Sequence, residues 1–171
     1  DGTIAGWHEG KILPSVTIAQ AILESGWGTS ELATKANNLF GIKASKDWTG
    51  ESYTVKTAEY DKNNNKYFIN APFRKYRNWQ CSLVDHARFF HTPAWREDNY
   101  KAVIGEVDYR KACKSLQSAG YATSQEYASQ LIGLIEMYKL DKYDSVAKNI
   151  EGEVQNMVAF KYRQITNSKQ M

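Results

Sequence analysis

Apolar positions follow a helical period along most of the chain and lose it between Tyr53 and Tyr76. The densest apolar stretch follows Pro14, where Ile18, Ala19, Ala21, Ile22 and Leu23 occupy nearly the whole circumference of a helix. Such a helix is buried on most sides. Pro14 suits its first turn, where the missing N–H costs nothing. Gly26 and Gly28 break the pattern, and Thr29 or Ser30 can cap a short helix reaching Ala36. Asn37-Asn38-Leu39-Phe40-Gly41-Ile42 then reads as a loop, with Asn and Gly supplying unusual backbone angles.

Two β-rich runs flank Asp61-Lys62-Asn63-Asn64-Asn65, a turn signal that predicts a hairpin. The period of two puts Tyr53, Val55, Thr57 and Glu59 on one face of the first strand. The return strand from Lys66 to Ala71 leads through Pro72 to Tyr76. The second half is helical. Asn78 caps a helix from Trp79 to about His91, and Thr92-Pro93 ends it. A short helix is expected around Asn99 to Ile104, and another from Asp108 to Ala119 with Gly120 as its stop. Thr123-Ser124-Gln125-Glu126 has the form of a capping box for a helix whose Tyr127, Leu131, Leu134, Ile135 and Tyr138 make a core stripe. Beyond Tyr143, Val146, Ile150, Val154 and Met157 are spaced as an amphipathic helix, weakened by Gly152, and Asn167 to Met171 read as frayed.

At 171 residues, 42% of them hydrophobic, the chain can bury one core, and the simplest organisation is one domain with an extra segment. No apolar run approaches the roughly 20 residues that span a bilayer. The start at Asp1, without a methionine or a signal-like segment, reads as a mature or excised piece of a longer protein. The net charge of +3 is scattered without a basic run, so nucleic acid is not an expected partner. The 11 Tyr and 5 Trp are more informative, because flat rings with a polar edge line grooves for sugars or peptides as well as filling cores. Cys81 and Cys113 lack the spacing of a zinc or redox motif and read as free thiols, with a single disulfide left open. The histidines have no ligand spacing, so neither a metal nor another cofactor is expected.

The candidate chemistry centres on Glu24, a carboxylate inside an otherwise apolar helix. Gln20, Ala21, Trp27 and Gly28 share its face. Desolvation there disfavours the charged form, raises the pKa and suits a general acid; the alternative is an exit to solvent or a pairing with Arg or Lys. Glu59 is a second carboxylate out of place, with a solvated strand end as its alternative. The loop at Asn38, Phe40 and Gly41 can cradle an acetamido sugar, or its Leu39 and Phe40 can simply anchor a turn. Tyr121, on a loop ahead of a helix N-terminus, can hold a polar ligand group or plug the junction. Cys81 and His86 lie about 140° apart on one helix, poor geometry for a nucleophile and base. His86 and Asp85 therefore read as packing or hydrogen-bonding residues.

Taken together, Ile12-Leu13-Pro14-Ser15, Ala19-Gln20-Ala21-Ile22-Leu23-Glu24-Ser25-Gly26-Trp27-Gly28, Asn38-Leu39-Phe40-Gly41-Ile42-Lys43, Thr57-Ala58-Glu59-Tyr60, Phe73-Arg74-Lys75-Tyr76, Asp85-His86 and Ala119-Gly120-Tyr121-Ala122-Thr123 resemble, in order and spacing, the bacterial cell-wall N-acetylglucosaminidases of glycoside hydrolase family 73. The match runs from about Lys11 to Leu140. The resemblance implies an α+β, mainly α fold: a lysozyme-like helical domain with a small β-hairpin lobe, about residues 50–76, flanking a sugar-binding cleft. It places a catalytic domain at residues 1–142 and a helical extension or linker at 143–171. It implies hydrolysis of the β-1,4 bond between N-acetylglucosamine and N-acetylmuramic acid in peptidoglycan, by a secreted or wall-associated monomer within a larger modular protein. Position by position, Glu24 matches the general acid and Glu59 the second carboxylate, with Glu51 a nearby competitor. Trp27, Asn38, Phe40, Gly41, Tyr60 and Tyr121 match substrate-binding positions. The rivals are a lytic transglycosylase using Glu24 alone, a muramidase, and a non-catalytic wall-binding module.

Overall fold

The computed structural model describes residues 2–60, 62–63, 65–150 and 152. The chain opens with a helix that the hydrophobic pattern does not announce, α1 (Gly2–Gly10). Its Gly2, Gly6 and Gly10 are buried and recur every four residues, which leaves a smooth stripe for close packing on α4 (Trp79–Phe89). A Cβ on Gly10 would lie 2.5 Å from the Ala87 carbonyl oxygen, and one on Gly2 would lie 2.8 Å from a Leu83 methyl. Small size, rather than an apolar stripe, makes this helix fit.

Next comes α2 (Pro14–Ser25), with Pro14 in its first turn and Gly26 closing it at φ 54°. Its N-cap position is Leu13, which has no side chain able to cap. The first turn is served instead from the far end of the chain. Asp144 accepts hydrogen bonds from the Ser15 backbone N–H at 2.8 Å and the Ser15 hydroxyl at 2.7 Å. Asp144 lies on a helix, α8, over residues 142–150, and together with Ala147 it is buried. The described part of the expected apolar face of that helix does not make this contact. Val146 and Ile150 are exposed, because the docking surface needs an acceptor for α2 and a small residue beside the core. Val154, Met157 and Asn167 to Met171 lie outside the described residues.

After α2, Ser30 caps α3 (Glu31–Lys35) by accepting from the Ala33 N–H. β1 (Ser52–Tyr60) and β2 (Lys66–Arg74) pair antiparallel, from Ser52 opposite Arg74 to Tyr60 opposite Lys66. The root of this hairpin is tied to the preceding loop by Arg74 N–H to the Ile42 carbonyl and Ala44 N–H to the Pro72 carbonyl, each 2.9 Å. Asn78 caps α4 as expected. α5 (Ala94–Tyr100) begins directly after Pro93, earlier than expected, and α6 (Tyr109–Ser118) is capped by Asp108. The capping box ahead of α7 (Tyr127–Tyr138) does not form. Ser124 Oγ accepts the Glu126 N–H, Glu126 caps nothing with its own side chain, and the helix starts only at Tyr127, whose ring is buried.

The main core gathers Trp7, Ile12, Leu13, Val16, Phe90, Leu116, Leu131 and Ile135 from α1, α2, α4, α6 and α7 and their junctions. The architecture is mainly helical with one small two-stranded antiparallel sheet. Cys81 and Cys113 are free thiols, the first exposed and the second buried. Among the described residues no helix is long and apolar enough to cross a membrane.

Candidate active site

A cleft of about 550 Å³ opens between the last turn of α2, the loop after α3, the hairpin root, α5 and the loop after α6. Glu24, Phe40, Gly41, Lys43, Arg74, Phe89, Arg96, Tyr100 and Tyr121 are among the residues on its walls. Glu24 is reached by solvent from the cleft, and no described residue pairs with it as an ion pair. The expected alternative of a structural salt bridge is thereby set aside. The Tyr127 hydroxyl donates to Glu24 Oε1 at 2.9 Å, and Gln20 Nε2 in turn donates to the Tyr127 oxygen at 3.0 Å. Gln20 is fully buried one turn before Glu24 on α2, so helix spacing and a buried amide together aim the phenol at the carboxylate. The surrounding protein desolvates Glu24 and raises its pKa above the ordinary value, while the Tyr127 hydrogen bond pulls it partly back. This balance suits a carboxyl that holds its proton and then releases it to a neighbouring oxygen.

Tyr121 reaches the cleft because of how α6 ends. Gly120 takes φ 74°, its N–H bonds the Gln117 carbonyl at 3.0 Å, and the Tyr121 N–H bonds the Leu116 carbonyl at 3.1 Å. That pair of bonds is a Schellman closure, and it turns Tyr121 inward. The ring stacks between those of Phe90, at 5.9 Å, and Tyr127, at 5.7 Å, and its hydroxyl lies 3.3 Å from His86 Nε2. Tyr121 therefore both plugs the junction and lines the cleft. His86 is fully buried and stacked on Phe40 at 3.8 Å; burial pushes its pKa down to about 3, so it stays neutral and supports the cleft floor. Asp85 accepts from Arg74 Nη1 and from the Tyr76 hydroxyl, each at 2.7 Å, which braces the hairpin root against α4.

Of the residues expected to bind substrate, Phe40, Gly41 and Tyr121 lie on the Glu24 cleft. Asn38 does not. It is 1% exposed, with Nδ2 donating to the Ile42 and Arg74 carbonyls and Oδ1 accepting the Ile42 N–H, so it clamps the loop that carries Phe40 and Gly41. Trp27 also lies elsewhere. It lines a separate apolar pocket of about 300 Å³ with Ile18, Ile22 and Trp79, and meets Tyr138 edge-on at 5.1 Å. The cause is the left-handed turn at Gly26, Trp27 and Gly28, which leaves the helical wheel that had placed Trp27 beside Glu24. Glu59 and Tyr60 belong to β1, Glu59 opposite Tyr67, and their side chains lie outside the described ones. Glu51 faces a different hollow from Glu24 and pairs with Lys75 at 2.8 Å, which holds its pKa down. Among the described side chains, Glu24 is the one carboxylate on the cleft.

Sequence reasoning took Tyr127 for a core residue and did not single out Gln20 as a donor or Arg74 and Arg96 as cleft residues. The Gln20–Glu24 spacing is a visible signal. Tyr127 leaves none, because its bond to Glu24 joins residues 103 positions apart.

The family described as mannosyl-glycoprotein endo-beta-N-acetylglucosaminidase matches residues 3–140. The chain is similar to the exo-glucosaminidase LytG of Bacillus subtilis (strain 168), 45% identical over 141 residues, covering 82% of this chain and 49% of that protein. It is similar to the peptidoglycan hydrolase FlgJ of Escherichia coli (strain K12), 33% identical over 144 residues, covering 82% and 44%. The chain thus spans about half the length of these curated relatives. Among solved structures, the catalytic domain of the autolysin Auto from Listeria monocytogenes superposes with a TM-score of 0.76 at 41% identity, covering 84% of this chain and 81% of that one.

Proposed function

The chain belongs to this glucosaminidase family, and from that premise we propose that it hydrolyses the β-1,4 bond between N-acetylglucosamine and N-acetylmuramic acid in peptidoglycan. The observation that carries the reading is Glu24: a partly desolvated carboxyl on the cleft wall that no described cation pairs with, held in place by Tyr127 and Gln20. Such a carboxyl donates its proton to the glycosidic oxygen as the bond to the sugar C1 breaks. The developing positive charge on the sugar then needs a carboxylate and a water. Glu59 is the candidate for that carboxylate, on a strand whose hairpin rises from the cleft wall at Ile42, Ala44 and Arg74. A carboxylate on a separate lobe reaches working distance when the hairpin closes over the glycan. Phe40, Gly41 and Tyr121 form the sugar-facing surface in this reading.

Residues 1–142 are the proposed catalytic domain, working as a monomer, with 143–171 an extension whose helix α8 docks on it through Asp144 and Ala147. A peptidoglycan substrate puts the site of action outside the cell or in its wall, and the coverage of the relatives supports a module of a larger protein. Substitution tests the roles. Glu24→Gln abolishes lysis of purified walls. Because the raised pKa means that ionising Glu24 opposes folding above its unfolded pKa, the same variant is at least as stable as the parent at neutral pH. Glu59→Gln lowers turnover by about 100-fold or more with wall binding retained, the scale expected for a missing acid or base partner. Appreciable turnover by Glu24→Gln, or normal turnover by Glu59→Gln, contradicts the assignment.

A further inference from the structure

Arg96 stands out on the cleft wall as a charge with no assigned use. It sits in the first turn of α5, and its guanidinium lies over the Phe89 ring, with Cζ 3.7 Å from the ring centre. Nη1 donates to the Thr92 carbonyl at 2.8 Å, which tethers one end of the group. Nε is buried and has no hydrogen-bond partner. No described carboxylate comes within salt-bridge distance of it, whereas Arg74, the other arginine of the cleft, is already held by Asp85 at 2.7 Å. Lys43 adds a third cation to the same walls, where Glu24 is the one described acid.

A guanidinium in this setting is costly. Burial and the nearby Arg74 both push against its charge, more than Asp85 supports it, and an arriving anion offsets that cost. Stacking on Phe89 and the bond to Thr92 also mean that little side-chain freedom is lost when a ligand binds. Guanidinium groups recognise carboxylates through directed, charge-assisted hydrogen bonds. A neutral glycan of N-acetylated sugars offers no such group. A glycan whose alternate sugars carry a lactyl ether offers a carboxylate beside the bond that is cut when the ether is free, and the carboxylates of the peptide when one is attached.

We propose that Arg96 binds a carboxylate on the muramic substituent of the glycan strand and so selects acidic strands over neutral ones. This rests on the peptidoglycan reading above and assigns Arg96 to binding, leaving proton transfer to Glu24.

The test compares the parent chain with Arg96→Gln and Arg96→Lys on solubilised glycan strands in three forms. One form carries its peptides with free carboxylates, one has the same carboxylates capped as amides, and one is stripped of peptide so that only the lactyl carboxylate remains. For the parent, capping raises KM about 10-fold with kcat unchanged, which is the scale of one charge-assisted hydrogen bond. Arg96→Gln shows the higher KM on free and capped strands alike, and Arg96→Lys falls between. Preference retained on stripped strands identifies the lactyl group as the ligand, and preference lost there identifies the peptide; both support carboxylate recognition. A parent with the same KM on all three forms overturns the proposal, and so does an Arg96→Gln defect of equal size on every form, which would mean a packing role. Binding of each form by the Glu24→Gln chain is measured alongside. Absence of turnover by the parent on all strands, with the capping effect on binding intact, counts against the hydrolase reading and leaves the Arg96 assignment standing.

Discussion

Glu24 owes its character to its own helix and to one residue far along the sequence. Its position on a buried helix desolvates it, and Tyr127, reached across 103 positions, donates a hydrogen bond that stabilises the charged form. The first effect can be read from the apolar neighbours of Glu24 along the chain. The second cannot, since a tyrosine on a core stripe looks the same whether its hydroxyl meets a carboxylate or water. The pair leads to a signed prediction. Tyr127→Phe removes the group that pulls the Glu24 pKa down, so the pKa rises further and the alkaline limb of the rate profile moves to higher pH. Turnover at the optimum falls about 10-fold, as the carboxyl loses its fixed orientation. A pH series of wall lysis reads both effects; a limb that stays put or moves to lower pH contradicts the role given to Tyr127. Asn38 and Trp27 show the opposite problem. Residue type and spacing mark both as site residues, yet one is spent on three backbone hydrogen bonds and the other follows a left-handed turn into a separate pocket.

At the level of elements, the legible helices are those that announce their ends. Pro14, Ser30, Asn78, Asp108 and Gly120 each stand where a helix starts or stops. α1 is illegible because its packing face is made of glycines, which carry no hydrophobic signal. α8 docks through Asp144 and Ala147, while Val146 and Ile150 of its expected apolar face are exposed. That contact has a mechanical consequence for the cleft, because Asp144 caps the same helix that carries Glu24. Asp144→Ala costs about 1–2 kcal/mol, the usual scale of a lost cap, and lowers the melting temperature by roughly 2–8 °C for a domain of this size. Ser15→Ala removes part of the same interaction, so the double variant loses less than the sum of the two singles. Calorimetry of the four chains checks this, and strictly additive losses would separate Asp144 from the α2 terminus.

Across the whole molecule, the cleft lies where helical elements meet the root of one hairpin, and each side contributes something the other lacks. The helices provide a rigid setting that partly desolvates Glu24, raising its pKa, and packs Tyr121 against Tyr127 and His86. The hairpin root provides Arg74, and in the proposed mechanism the far end of the hairpin carries Glu59, opposite Tyr67 and beside other exposed residues such as Phe68. The order of motifs along the chain was enough to expect this division into a helical body and a β-lobe. The cationic lining of the cleft was not legible, because Lys43, Arg74 and Arg96 are scattered through the chain and converge only on folding. The most direct measurement is mass spectrometry of borohydride-reduced fragments from peptidoglycan digested with the parent chain and with Glu24→Gln. Reduced N-acetylglucosamine ends from the parent, absent from the variant, are the expected result. Reduced muramic acid ends, 1,6-anhydro ends or uncut glycan from the parent would contradict the hydrolysis proposed for this cleft.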